Sequence, residues 1–299
     1  MLEITVWDVS HGNAAYINTP NNRHIVVDLG DNGTEFSPLQ ILQARGVQQL
    51  DAVVITHPHR DHMDEIEDFY LLAPKVLWTP RHITDADIRN ANRAGDLAVV
   101  NRYLDIRRYY TSPVTGTNDL CAPGHFGGAE FRVFTPSTCG VNNLNNHSLV
   151  VALSYAGLKV LIPGDNESLS WKELLGNPAF VAAVRGTDVL VAPHHGREAG
   201  YCGELFDAMG KPRLVVISDG RFGDTSATDR YTKQARGWTV FDANGQKRDR
   251  YCVTTRNDGH ITIKIGWNNN DPSQGNYLNV TTSKADHYAW LAAMLGGQN

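Results

Sequence analysis

Four residues in one short stretch are able to do chemistry together. His57, His59, Asp61 and His62 form an H-x-H-x-D-H pattern directly after the apolar run Ala52-Val53-Val54-Ile55. In a loop that leaves a strand, alternate residues can face one point while the following pair turns aside. His57 and His59 can thus hold one metal ion, with Asp61 and His62 turned toward a second. Imidazole and carboxylate donors suit zinc, iron or manganese, and such a cluster is costly to assemble for structure alone. Three further elements come later in the chain. Asp165 leaves the apolar run Leu158 to Ile162 through Pro163-Gly164, and His194-His195 follows Val189 to Ala192 through Pro193. Consecutive histidines point apart, so at most one of these two coordinates metal while the other meets substrate or backbone. His147, in Asn145-Asn146-His147-Ser148, reads either as a ligand or as an ordinary capping or core histidine.

These residues need strands to carry them. β-branched runs at Ile4 to Val9, Ala14 to Ile17 and Ile25 to Leu29, separated by Ser-His-Gly-Asn and Pro-Asn-Asn, predict a three-stranded antiparallel start. A helix from Pro38 to Arg45 precedes the buried strand Ala52 to Ile55. Leu149 to Tyr155 and Leu158 to Ile162 read as a hairpin, followed by a helix over Ser168 to Leu175. Val189 to Ala192, Leu214 to Ile217, Tyr251 to Thr255 and His260 to Ile265 complete the strands. Residues 81–128, with helices over Asp85 to Asn92 and Leu97 to Tyr109, read as an insertion on the rim. Residues 268–299 read as an extension beyond a domain of 1–267, ending in a short helix over Asp286 to Leu295. The polar motifs cluster where buried strands end, the usual placement of α/β active sites. The pattern fits two mixed sheets packed together with helices outside. Asp28, in Val26-Val27-Asp28-Leu29-Gly30, reads either as support for the ligands from behind or as a plain strand-end turn. His11 and Ser218 end strands that face the same rim and are candidate substrate contacts, as is His194.

The composition excludes several classes. The chain has 299 residues with a net charge of −5, 41% hydrophobic and 20% charged, which is globular and argues against a tail-driven nucleic-acid binder. Twelve histidines stand beside four cysteines, Cys121, Cys139, Cys202 and Cys252, none in a C-x-x-C pair, so a thiolate metal site or disulfide scaffold is not expected. Met1 to Trp7 lacks the charged and apolar regions of a signal peptide, and no apolar run is long enough to span a bilayer. The expectation is a cytoplasmic protein with no membrane and no evident protein partner.

The order H-x-H-x-D-H, histidine, Gly-Asp, histidine resembles the metallo-β-lactamase-fold superfamily of metallohydrolases over about residues 2–266. It resembles most the branch containing the metallohydrolase domain of the competence DNA-uptake protein. The matching residues are Trp7-Asp8-Val9-Ser10-His11-Gly12-Asn13-Ala14, Val27-Asp28-Leu29-Gly30, Asn145-x-x-Ser148-Leu149-Val150, Pro163-Gly164-Asp165 and Ala192-Pro193-His194-His195-Gly196. The resemblance implies a four-layer αβ/βα sandwich of two mixed β-sheets flanked by helices, with two divalent ions, zinc before manganese or iron, at one edge. It implies that His57, His59 and His147 bind the first ion, that Asp61, His62 and His195 bind the second, and that Asp165 bridges them. Two ions roughly 3.5–4 Å apart would hold a hydroxide between them as nucleophile, with Asp61 placed to orient it.

The expected function is a phosphodiesterase or nuclease acting on a nucleotide or short nucleic acid. Arg89, Arg93, Arg102, Arg107 and Arg108, interleaved with Tyr103, Tyr109 and Tyr110, could meet phosphates and stack on bases; the plainer reading of that segment is a solvated amphipathic helix. A carboxylic ester, lactone or thioester hydrolase is the alternative enzyme, and a metal-binding partner protein with decayed catalysis is the alternative from another class.

Overall fold

β-branched runs punctuated by Gly, Pro and Asn build the strands, and the intervening amphipathic segments build the helices. The structure is a computed structural model that describes residues 1–33, 36–220 and 226–283. Along the chain come β1 (Leu2–Val6), β2 (Ala15–Asn18), β3 (His24–Val27), α1 (Pro38–Ala44), β4 (Ala52–Val54) and β5 (Leu77–Trp78). The insertion carries α2 (Asp85–Ala91) and α3 (Leu97–Tyr109). Then follow β6 (Glu130–Phe134), β7 (Val150–Tyr155), β8 (Leu158–Ile162), α4 (Ser168–Leu175), α5 (Pro178–Val184), β9 (Val189–Val191), α6 (Gly203–Met209) and β10 (Leu214–Ile217). The last elements among the described residues are α7 (Thr228–Gln234), β11 (Trp238–Phe241), β12 (Lys247–Arg250), β13 (Cys252–Thr254), α8 (Thr255–Asp258), β14 (Ile261–Trp267) and β15 (Asn276–Thr282).

The strands form a nine-stranded sheet, β12-β11-β15-β14-β1-β2-β3-β4-β5, and a six-stranded sheet, β13-β10-β9-β8-β7-β6. Both are mixed. β1, β2 and β3 pair antiparallel as expected, while β3, β4 and β5 run parallel. In the second sheet β8, β9, β10 and β13 run parallel and β6 and β7 antiparallel.

Side-chain alternation assigns the faces. Ala52 and Val54 of β4 join Ile4, Ile17, Val160, Val191 and Val216 in the core between the sheets. Val53 turns outward, into a second core with Leu39 of α1 and Val100 and Leu104 of α3. On the far side Leu161, Leu190 and Val215 face outward to meet Trp171, Phe180, Phe206 and Tyr231 of the second helical layer. The result is a four-layer αβ/βα sandwich. Strands buried on both faces explain why β4, β9 and β10 read as continuous apolar runs.

Two expectations change. Residues 276–282, read as part of an extension, form β15 between β14 and β11, paired antiparallel over seven positions with β14. Its alternation, with Leu278, Val280 and Thr282 buried and Tyr277, Asn279 and Thr281 between them, is masked in sequence by Asn276 and Asn279. The first strand also ends at Val6, because the Val9 amide bonds back to the Trp7 carbonyl at 3.1 Å and the chain turns there. The helix expected over 286–295 lies outside the described residues. Among the described residues no helix is long and apolar enough to cross a membrane, and all four cysteines are free.

Candidate metal centre

β3 and β4 run parallel to each other, as do β8, β9 and β10, so the loops that leave them converge on one edge of the sandwich. The loop after β4 carries His57, His59 and a helical turn over Arg60–His62. The turn after β8 brings Asp165, and the turn after β9 brings His194 and His195, both with left-handed backbone (φ +48° and +53°). Close packing fixes these loops. Gly164 has φ +58°, and a Cβ there would stand 2.8 Å from the Ser148 side chain and 2.9 Å from Thr56. The Asp165 amide donates to Ser148 Oγ at 3.0 Å, which gives the Asn145-x-x-Ser148 motif a physical role.

The donors gather tightly. Asp61, His62 and His195 form one group and His57, His62 and Asp165 another, with the ligand atoms of each group within 4.8 Å of one another. His62 Nε2 lies 3.4 Å from Asp165 Oδ1 and 3.3 Å from His195 Nε2. His195 Nε2 lies 3.3 Å from both Asp61 Oδ2 and Asp165 Oδ2, so Asp165 stands between the groups. His57 Nε2 approaches His59 Nδ1 at 3.0 Å and Asp165 Oδ2 at 4.0 Å. Imidazole nitrogens facing one another across two carboxylates need a cation between them, so the donor set fits a divalent-metal centre.

The orientation of the ligands is set from behind. Asp28, fully buried with φ +62°, accepts His62 Nδ1 at 2.7 Å, the Thr56 amide at 2.7 Å, Thr56 Oγ1 at 2.9 Å and Asn13 Nδ2 at 3.0 Å. Its bond to Nδ1 leaves His62 Nε2 for coordination. His195 Nδ1 donates in the same way to the Ser218 carbonyl at 2.9 Å, leaving Nε2 pointed at both aspartates.

Charge is concentrated there. Burial alone would push the Asp165 carboxyl up, but His195 and His62 hold it well below the ordinary range. Burial opposes charge on His195 too, yet Asp165 and Asp61 raise it to about 10. His62 is raised by Asp165 and Asp28 against the same burial. His57 and His59 are driven down, chiefly by burial. The site therefore has two anions that already demand positive charge in a desolvated pocket.

Six expected residues thus come together: His57, His59, Asp61, His62, Asp165 and His195. His11, 41% exposed, stands at the mouth with Nε2 3.3 Å from Asp61 Oδ2. His194 lines the same cleft, with Nδ1 3.0 Å from Glu167 Oε1 and Nε2 3.9 Å from Asp165. Three expectations are corrected. His147 is not in the cluster; its Nδ1 pairs with His82 at 2.9 Å and its Nε2 with the Gly140 carbonyl at 3.3 Å. Ser218 is buried, donates to the Gly12 carbonyl and acts through its own carbonyl, so it offers no hydroxyl to a substrate. In the insertion Arg107 is buried on Asp85 and three carbonyls, Arg108 pairs with Asp85, Arg102 with Glu67 and Arg89 with Asn101. Tyr103 is buried as well, so this segment is mostly scaffold. The sequence reading missed Glu167, which accepts Asn143 and Asn145, both at 2.8 Å, and adjoins His194. The Asn-rich stretch before His147 was the available signal.

Fold and donor set define a metal-dependent hydrolase built on an αβ/βα sandwich. The metallo-beta-lactamase superfamily model matches residues 7–218, and the chain belongs to that superfamily. It is similar to ComE operon protein 3 of Bacillus subtilis (25% identity over 244 residues, 73% of this chain and 28% of the relative). It is likewise similar to Competence protein ComA of Neisseria gonorrhoeae (23% over 226 residues, 73% and 27%). The chain spans little more than a quarter of the length of these relatives. Among solved structures, the metallo-beta-lactamase fold protein YhfI from Bacillus subtilis aligns with a TM-score of 0.42 at 13% identity, over 75% of this chain and 88% of that one.

Proposed function

We propose that this chain is a phosphodiesterase acting on a nucleotide or short nucleic acid. The observation that carries the reading is the make-up of the cleft above the donor cluster. It has a volume of about 540 Å³, and among its described lining residues Ala91 is the one apolar side chain; the rest are histidine, aspartate, asparagine and arginine. An acyl or lactone substrate gains most of its affinity from apolar walls, whereas a phosphodiester needs charge and hydrogen bonds. The competence name of the Neisseria relative supports the same choice over an ester hydrolase.

Two divalent ions held by these donors, zinc before manganese or iron, would supply Lewis acidity and an activated water at neutral pH. The chain's own residues do the positioning. Asp28 and the Ser218 carbonyl keep the Nε2 atoms of His62 and His195 aimed inward, and Ser148 holds Asp165 between the two groups. Asp61, with Oδ2 3.3 Å from both His11 and His195, is placed to orient the attacking water at the cleft floor.

The test is turnover of single-stranded DNA, RNA and cyclic dinucleotides by protein loaded with zinc or manganese, beside a panel of lactones and thioesters. Cleavage of a phosphodiester is expected. Metal measured in the site with no phosphodiester turned over would remove the reading, and ester hydrolysis alone would replace it.

A further inference from the structure

Among the described residues the cleft is lined by three arginines, Arg60, Arg93 and Arg197, and they are not equivalent. Arg60 is already neutralised, with Nε 3.0 Å from Asp64 and Nη1 3.2 Å from Asp96. The guanidinium groups of Arg93 and Arg197 have no carboxylate or hydrogen-bond partner among the described residues. The four aspartates described in the cleft are spent differently: Asp61 and Asp165 face the donor cluster, and Asp64 and Asp96 serve Arg60. Among the described residues, two cations of the cleft are left without an acidic partner.

Their backbones are held in place although their side chains are free. Next to Arg93, Asn92 Nδ2 donates to the Pro58 carbonyl at 3.0 Å and to the Ile88 carbonyl at 2.9 Å, pinning the insertion to the metal-binding loop itself. The Arg60–Asp96 pair ties the same wall a second time. On the other sheet's side, the Arg197 amide donates to the His194 carbonyl at 2.9 Å, its carbonyl accepts the Gly200 amide at 3.1 Å, and it bridges to Ser226. The two arginines therefore project from two separately anchored walls, each tied to a ligand loop.

We propose that Arg93 and Arg197 form a two-sided clamp for phosphates that flank the reacting one. The substrate class is then a short single strand or nucleotide bearing at least one further phosphate. This rests on the phosphodiesterase reading above. The donor cluster serves the reacting phosphate, and the two unpaired cations of the same cleft are left for phosphates beside it. Guanidinium is the group suited to this, presenting a planar fork of donors to phosphate oxygens.

The test compares metal-loaded wild type with Arg93→Gln, Arg197→Gln and the double variant. The probes are a 5′-phosphorylated thymidine trinucleotide and bis(p-nitrophenyl) phosphate, which carries a single phosphorus. Binding of the trinucleotide is followed by calorimetry over a range of salt, and turnover of both probes is measured. Each substitution is expected to weaken trinucleotide binding about tenfold or more and to lower the slope of log K against log salt by about 0.7. Turnover of bis(p-nitrophenyl) phosphate, which has no flanking phosphate, is expected to fall by much less than trinucleotide binding does. Unaltered trinucleotide affinity and slope, no trinucleotide binding by the wild type, or equal losses on both probes would overturn the clamp. Arginine-dependent binding without cleavage of any phosphodiester would leave the clamp standing and remove the phosphodiesterase. Cleavage that ignores both substitutions would do the reverse.

Discussion

Asp28→Asn isolates the control exerted on the metal centre from behind. Asp28 receives four donors, and three of them, His62 Nδ1, Thr56 Oγ1 and Asn13 Nδ2, converge on the single oxygen Oδ2. Asparagine keeps the shape and tolerates the φ of +62°. It then places its one carbonyl oxygen at the crowded Oδ2 position, which sets its NH₂ against the Thr56 amide that bonds Oδ1 at 2.7 Å. One buried N–H loses its acceptor, a cost of about 1–3 kcal/mol, which a urea titration of metal-free protein reads directly. The second effect is on metal. His62 keeps its Nδ1 partner but exchanges a carboxylate for a neutral amide, so its Nε2 becomes a weaker donor. Loss of such an outer partner lowers metal affinity by about 10- to 100-fold, measurable by competition against a chelating dye. Thr56→Val serves as the control, removing the hydroxyl while leaving the Asp28–His62 bond. Folded Asp28→Asn protein that binds metal as tightly as wild type would refute the argument that Asp28 sets the donor strength of His62.

His59→Ala and Asp165→Ala are expected to lose bound metal by elemental analysis with little loss of secondary structure by circular dichroism; retention of full metal content in both would place the centre elsewhere. His147→Ala, by contrast, is expected to keep its metal and to lower the urea midpoint, since His147 is fully buried against His82; metal loss in this variant would restore it as a ligand. Trp171, fully buried with Nε1 donating to the Gly200 carbonyl at 3.0 Å, anchors the second helical layer, so Trp171→Ala should cost about 3–5 kcal/mol in urea unfolding, and a loss near zero would contradict the packing. Burial pushes the Glu65 carboxyl up to about 8 against its donors Ser37 and Leu39, above its unfolded value of 4.5. The folded chain then keeps a proton that the unfolded chain releases in that window, so stability falls as the pH rises through it, by on the order of 1 kcal/mol per unit. Glu65→Gln should flatten that part of the profile, and superimposable profiles would exclude the linkage.

The residues that were legible are those whose placement depends on a strand ending. His57, His59, Asp61, His62, Asp165 and His195 each follow a continuous apolar run, and the run dictates both the strand and the edge where it stops. Asp28 is legible for the same reason, although its four donors are a tertiary fact. What was not legible is where a side chain turns once it reaches the edge. Ser218 arrives at the rim but spends its hydroxyl on Gly12, and His147 turns to the nearby Gly140 carbonyl and to His82, which is distant in sequence and adjacent only in space. The arginines between Arg89 and Arg108 look alike in sequence; acids at Asp85 and Glu67 decide which are structural. β15 was missed because Asn-rich composition lowers strand propensity, and pairing with β14 over seven positions overrides it.

The pairing of β1 with β14 sets a timetable for making this protein. Leu2 sits opposite Ile265 and Val6 opposite Ile261, partners about 260 residues apart. At about 5–20 residues per second, a ribosome needs roughly 13–50 s between delivering one and the other. During that interval β1 can zip onto β2 on one side while its other edge remains a bare row of amides and carbonyls, a template for pairing with a neighbouring nascent chain. Such distant closure gives high contact order and slow folding. The large sheet is therefore the element most exposed to misassembly during synthesis, and protection of its open edge in that interval governs how much of the chain reaches the native state.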